Sequence, residues 1–351
     1  MKILLDYNLM ELEEIIVAMG EPKFRAKQLL DAVYNGKDYD DKININKSLL
    51  DKLREAQMIL QPVQIYKTKE SKDGSVKFLY KLSDGNIIEG VLLKYTFGNS
   101  ICVSTQVGCK MNCAFCASGL NGFVRNLSAG EILGQIVAVN KYLGGTLKDR
   151  QISNIVLMGS GEPLDNFDNV AKFLSQITDE HLLNFSVRNI TISTCGIAPK
   201  IERLADLGYN VTLSISLHAP NDTVRKQIMP IAKSYPISAI LESAKYYNLV
   251  TSRRITIEYT LIDGVNNTPN HAKQLAALLK DFPCHVNLIK LNEVDGRNLK
   301  SPTIGSCKQF LNILTNAQIS ATLRRSLGDD IEGACGQLRN KELSSSKGEK
   351  N

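Results

Sequence analysis

The tightest constraint on this chain is a run of three cysteines, Cys109, Cys113 and Cys116, spaced C-x3-C-x2-C. Thiolates set this closely share one loop, and the spacing suits ligation of a single iron–sulfur cube. Three ligands leave one iron open, so such a cube could hold and reduce a small molecule as well as pass electrons. Two other uses of cysteine fit less well. A structural zinc site needs a fourth Cys or His close by, and neither Lys110 nor Asn112 serves. A disulfide scaffold needs an oxidising setting, whereas 8 cysteines in 351 residues without a secretory leader point to a reducing cytoplasm.

The rest of the chain supplies a large fold to carry that loop. Residues 6–58 have helical periodicity: Leu9, Leu12, Ile15, Ile16 and Met19 precede Gly20, and Phe24, Ala26, Leu29, Leu30, Val33 and Tyr34 precede Asn35-Gly36. A third helix is expected from Ser48. This predicts a small helical accessory domain over 1–60, with no ionisable cluster to give it chemistry. Over 61–98 the pattern turns to alternation broken by Asp73-Gly74 and Asp84-Gly85, the mark of a β-hairpin extension. Glu89 falls in this stretch, where a carboxylate between apolar residues is ordinarily the solvent-facing alternate.

From residue 99 to 340 strand and helix alternate. Strands are expected at 101–105, 152–158, 189–193, 211–217, 255–262, 286–291 and 319–324, with helices such as 128–142 and 268–280 between them. About six βα repeats make an α/β fold whose parallel sheet curls into a partial or full (β/α) barrel. A doubly wound open sheet is the alternative. The barrel is preferred because polar and glycine-rich pieces recur at the carboxyl ends of the strands. The Ser/Lys-rich stretch 341–351 is expected to be a disordered tail. No apolar run approaches the roughly 20 residues that span a bilayer, so no membrane is involved.

Several strand ends carry short polar motifs: Gly159-Ser160-Gly161-Glu162-Pro163, Ser193-Thr194-Cys195-Gly196, Ser216-Leu217-His218-Ala219-Pro220-Asn221 and Asn287 to Asn292. Each alone is as well explained by turns and caps. With Ala117, Ser118 and Gly119 after the last cysteine, the run resembles the radical S-adenosylmethionine superfamily. Adding Phe24-Arg25-Ala26-Lys27-Gln28, Ile228-Met229-Pro230 and Ala334-Cys335-Gly336-Gln337-Leu338, nearly the whole chain resembles one branch of it, the RNA adenine-C2 methyltransferases called RlmN.

That resemblance implies a [4Fe–4S] cluster on Cys109, Cys113 and Cys116, with S-adenosylmethionine chelating the fourth iron. It implies cofactor contacts from Gly161, Glu162, Ser193, Ser216, Leu217, His218 and Asn292. Phe115 would pack near the adenine or simply anchor the loop. Cys335 would carry a methyl group, Cys102 would resolve the RNA adduct by forming a disulfide with Cys335, and Glu89 would accept a proton. Cys195, Cys284 and Cys307 receive no role. Ser160 and Lys290 stand where the family often has Met and Pro.

The implied substrates are 23S ribosomal RNA and transfer RNA, the implied electron donor a flavodoxin or ferredoxin, and the implied state a cytoplasmic monomer using two S-adenosylmethionine per turnover. Charge is compatible with a polyanion. Nine basic and eleven acidic residues leave the first 60 positions at −2, against +8 for the remainder, within a net +6. Lys and Arg side chains such as Arg125, Arg324 and Arg325 are candidates for phosphate contact. A related branch that methylates carbon 8 would share every cysteine with a role; Gly161-Glu162-Pro163 and the closing segment favour carbon 2. A non-enzymatic RNA-binding protein with a structural metal is the reading from another class.

Overall fold

The computed structural model describes residues 2–324, 327 and 329–331. The chain opens on β1 (Lys2–Ile3), runs through α1 (Leu9–Ala18), α2 (Arg25–Tyr34) and α3 (Lys47–Glu55), and returns in β2 (Met58–Ile59), which pairs in parallel with β1. Local chemistry sets these helices. Asn8 and Glu11 form a reciprocal capping box on α1, and the Asn46 side chain accepts from Leu49 N to start α3. The short β1–β2 ladder had no signal in the sequence, because two residues are too few for alternation to show.

Next come β3 (Val63–Glu70), β4 (Val76–Leu82) and β5 (Ile87–Tyr95), an antiparallel meander. Gly74 and Gly85 take φ of +86° and +83° at its turns, so the two Asp-Gly pairs act as the pattern predicted. β6 (Gly98–Cys102) pairs antiparallel with β5 on one side and parallel with a later strand on the other. It is followed by β7 (Gln106–Gly108) and β8 (Phe123–Asn126), a small separate hairpin, and then α4 (Ala129–Tyr142).

The remainder alternates: β9 (Ile152–Leu157), α5 (Phe167–Ile177), β10 (Ile190–Thr194), α6 (Ala198–Asp206), β11 (Thr212–Ser216), α7 (Asp222–Ile228), α8 (Ile237–Thr251), β12 (Ile255–Leu261), α9 (Pro269–Leu279), β13 (Cys284–Lys290), α10 (Ile304–Asn316) and β14 (Ala321–Leu323). One ten-stranded sheet results, in the order β14-β13-β12-β11-β10-β9-β6-β5-β4-β3. Its parallel part follows the order of the chain without a reversal. A doubly wound sheet reverses its strand order at a switch point, so that alternative is excluded. The outermost strands, β14 and β3, do not pair with each other, which makes the barrel partial.

One face of the sheet is apolar and packs on helices through Ile155, Leu157, Ile190, Ile192, Leu213, Ile215, Ile257 and Tyr259, all essentially buried. The Tyr259 ring meets Phe310 of α10 at 5.3 Å. Side chains alternate along each strand, so the cross-strand partners Val91, Cys102, Val156 and Thr191 point to the opposite, inner face, as do Ser214, Ser216, Glu258, Asn287 and Thr322. Helix-face burial stabilises the sheet, and the inner face is left for polar groups. The buried side chains of the helical head and of the sheet form one continuous cluster. Among the described residues no helix is long and apolar enough to cross a membrane.

Candidate active site

Cys109 begins the loop that leaves β7. Gly108 holds φ +75°, and a Cβ there would stand 2.0 Å from Gly122 O, so only glycine lets the two sides of the loop meet. Cys109 N closes the base by donating to Gly122 O at 3.0 Å, and Cys116 N turns back onto Cys113 O at 3.1 Å. Two outside anchors hold it: Ala114 N donates to Ile228 O at 2.8 Å, and Arg297 donates to Asn112 Oδ1 at 2.8 Å. Cys109 is buried, and Cys113 and Cys116 are half-buried.

Burial pushes the Cys109 thiol up to about 12, reinforced by the neighbouring Cys116, and pushes Cys113 higher for the same first reason. Left alone, these two thiols stay protonated at neutral pH; a bound cationic centre is what makes such groups thiolates. Among the described residues no three His, Cys, Asp or Glu side chains close around a point as ligands of one metal ion would. The donor set of three soft thiols on one pinned loop therefore fits an iron–sulfur cluster.

The strand-end motifs converge beside this loop. Gly161 has φ +107°, and a Cβ there would be 2.6 Å from the Gln106 side chain, so the 159–163 turn lies directly against the start of β7. Glu162 is buried and brackets two strand ends: Oε1 accepts from Leu164 N at 3.0 Å and Oε2 from Cys195 N at 2.7 Å. Burial raises its pKa, against the lowering effect of those hydrogen bonds. Ser193 and Ser216, on neighbouring strands, bring their hydroxyls to 3.3 Å. Ser160 is buried, and its backbone carbonyl accepts from Thr105 N and Gln106 N, a bond that does not depend on its side chain.

His218 leaves β11 with φ +55° and lays its ring edgewise on Phe115, centroids 4.6 Å apart. Its Nδ1 accepts from Thr260 N at 2.9 Å. Since a backbone N–H only donates, the ring proton sits on Nε2. Burial first, then the Arg225 charge, lowers its pKa to about 3, so His218 is a neutral donor through Nε2 at physiological pH. Leu217 is fully buried, whereas Asn292 lies exposed just beyond β13, on the same loop as Arg297.

Glu89 corrects the solvent-facing expectation. It is 3% exposed, and its carboxylate lies 3.9 Å from Nζ of Lys77, which is wholly buried. A lysine in Val-Lys-Phe-Leu-Tyr-Lys-Leu gave no hint of this, because alternation cannot tell solvent from the inside of a half-barrel. Glu89 and Cys102 share the inner face with the two serines. Cys102 is buried. Cys335 and the tail 341–351 lie outside the described residues, and with them the expected disulfide.

Two further inner groups went unmarked. Glu258 accepts from Ser214 and Asn287 with Oε1, while Oε2 has no hydrogen-bond partner among the described residues. Arg225, between the 216–221 and 228–230 motifs, is wholly buried. The expected phosphate contact Arg125 is instead engaged by Asp84 and Glu131.

Comparison with known proteins agrees with this geometry. The Radical SAM superfamily profile matches residues 103–276, and that of the Ribosomal RNA large subunit methyltransferase N-terminal domain matches residues 3–59. The probable dual-specificity RNA methyltransferase RlmN of Clostridium perfringens strain SM101 is 52% identical over 341 residues, 97% of either chain. The protein of that name from Alkaliphilus oremlandii is 51% identical, over 97% of this chain and 98% of its own. A radical SAM methyltransferase from Sphaerobacter thermophilus, known as a crystal structure, superimposes with a TM-score of 0.91 at 40% identity, covering 96% of this chain and 99% of that one.

Proposed function

The chain belongs to the RlmN family of radical S-adenosylmethionine enzymes, and from that premise we propose that it methylates carbon 2 of adenine in 23S ribosomal RNA and in transfer RNA. Carbon 2 lies between two ring nitrogens and is too electron-poor to attack a methyl sulfonium, so a polar transfer is closed and a radical route is required. A [4Fe–4S] cluster on Cys109, Cys113 and Cys116 would supply the electron that cleaves S-adenosylmethionine.

The protein's own residues supply the rest. Gly161 lets the backbone approach the cofactor, and Ser193, Ser216 and the Nε2–H of His218 offer it hydrogen bonds, with Leu217 and Asn292 completing the contact. Cys335 carries the methyl group. Glu89 takes the carbon-2 proton, and Cys102 attacks the Cys335 sulfur to free the RNA, leaving a disulfide for an outside reductant. The adenine reaches the inner face from a loop or flipped out of a stem. A flavodoxin or ferredoxin is the proposed electron donor.

The observation that carries this reading is the inner face itself: Glu89 and Cys102, from the antiparallel wing and its neighbour, face the same space as the serines at the parallel strand ends. The deciding measurement is nucleoside mass spectrometry of RNA incubated anaerobically with protein, reductant and S-adenosylmethionine. 2-Methyladenosine supports the proposal; 8-methyladenosine would assign the chain to the carbon-8 chemistry. A colourless, iron-free protein from anaerobic purification would leave only RNA binding.

A further inference from the structure

Among the described residues no carboxylate pairs with the buried cation Arg225. It lies on α7, is wholly inaccessible, and spends its guanidinium on backbone carbonyls alone: Nη2 on Cys195 O at 2.6 Å and Ser216 O at 3.4 Å, Nε on Leu217 O at 3.2 Å, Nη1 on Tyr235 O at 3.3 Å. Asp222 acts on the guanidinium only through space, without pairing with it. Asp222 accepts from Ile237 N, and both oxygens of Glu162 accept from backbone N–H groups. His218, also near, is neutral. Carbonyl dipoles solvate a guanidinium only in part, and burying a charge without a countercharge costs several kcal/mol.

Its surroundings show where the countercharge belongs. The last residue of α7, Ile228, accepts through its carbonyl from Ala114 N, in the middle of the three-cysteine loop. Phe115 of the same loop lies edgewise on His218, centroids 4.6 Å apart, next to Leu217, whose carbonyl accepts from Arg225. Three thiolates on an iron–sulfur cube give a net negative charge, which grows by one when the cube is reduced. A fixed cation beside it stabilises the reduced form more than the oxidised one.

We propose that Arg225 is the buried countercharge of the cluster, a positioning residue that raises the cluster's reduction potential while tying the ends of β10 and β11 to the cluster loop. This rests on the cluster assignment above, so the parent protein is the control: if it takes up no iron, that assignment fails before the question about Arg225 is asked.

The test is an anaerobic reductive titration of the loaded protein followed by electron paramagnetic resonance, in the parent and in Arg225→Gln, Arg225→Met and Arg225→Lys. Glutamine and methionine remove the charge, whereas lysine keeps it and loses the four-way fork. At a fixed potential near the midpoint the reduced-to-oxidised ratio should fall at least tenfold in the neutral variants, a shift of about 59 mV for one electron, and less than threefold in Arg225→Lys. Neutral variants that fold without metal yet take up no cluster, while Arg225→Lys does, would support the proposal equally. Unchanged potentials in the neutral variants, or an equal fall in Arg225→Lys, would overturn it. So would failure of both neutral variants to fold in the metal-free state, since Arg225 would then be scaffold alone.

Discussion

Two buried cations flank the inner face, and they are housed in opposite ways. In the antiparallel wing Lys77 sits 3.9 Å from the Glu89 carboxylate, so a fixed countercharge stands beside it. At the parallel strand ends Arg225 has four carbonyl contacts and, among the described residues, no carboxylate paired with it. A cation with a carboxylate beside it has its charge offset; a buried cation held by carbonyls alone gains when an anion arrives.

The largest break in this contrast comes from removing the anion. Cys109→Ala, Cys113→Ala or Cys116→Ala should each abolish iron uptake and cofactor cleavage, because two thiolates do not hold the cube. A full iron complement with activity in any of the three would sink the assignment. Next come the two other cysteines, which act in sequence on the inner face. Cys335→Ala should give no methylated protein and no RNA adduct, whereas Cys102→Ala should stop with RNA attached through Cys335. On a denaturing gel, a ribonuclease-sensitive shifted band is expected for Cys102→Ala alone; the same result for both variants would refute the proposed roles.

A smaller effect sharpens the contrast itself. In the metal-free protein Lys77→Met removes the cation beside the buried Glu89 carboxylate and should cost about 3–5 kcal/mol. Arg225→Gln strands no partner charge and keeps two N–H groups for the carbonyls, so it should cost less. The double variant Lys77→Met with Glu89→Gln should recover part of the loss. Urea unfolding of the four proteins decides, and equal costs for Lys77→Met and Arg225→Gln would erase the distinction. Glu89→Gln alone should slow methylation while leaving iron content intact.

The smallest expected effect is a pH dependence. His218 has its pKa lowered to about 3 from 6.5, so the folded state favours the neutral ring. The stability it contributes is complete above 6.5 and is lost as pH falls toward 3. The loss reaches roughly 2 kcal/mol by pH 5. His218→Asn, which tolerates the left-handed backbone, should flatten that acid limb between pH 7.5 and 5, and an unaltered slope would clear His218 of it.

How much of this was legible in the chain differs by residue. Cys109, Cys113 and Cys116 declare themselves because loop ligation depends on covalent spacing. The Asp-Gly turns and the strand sequence were readable because φ preference and period are local, although the expected strand 101–105 proved to be 98–102. The chain leaves the ladder after Cys102, where Ser104 N turns to the Gln135 side chain and Ser104 Oγ to Glu89 O. Alternation alone left Glu89 as an ordinary solvent-facing residue, its role coming only from the resemblance, and Lys77, Arg225 and Glu258 passed unnoticed. Alternation says that a residue points away from the helix-covered face, never what lies on the other side.

The sequence by itself therefore determined the donor set, the order of elements and the turns, all consequences of bonds and dihedrals within a few residues. Tertiary structure alone decided that the half-barrel stays open between β14 and β3, that Glu89 and Cys102 face the strand-end serines, and that one buried cation is paired and the other is not. Those outcomes depend on register between strands far apart in the chain. Charge burial in particular is set by what covers a side chain, a property that no stretch of sequence carries alone.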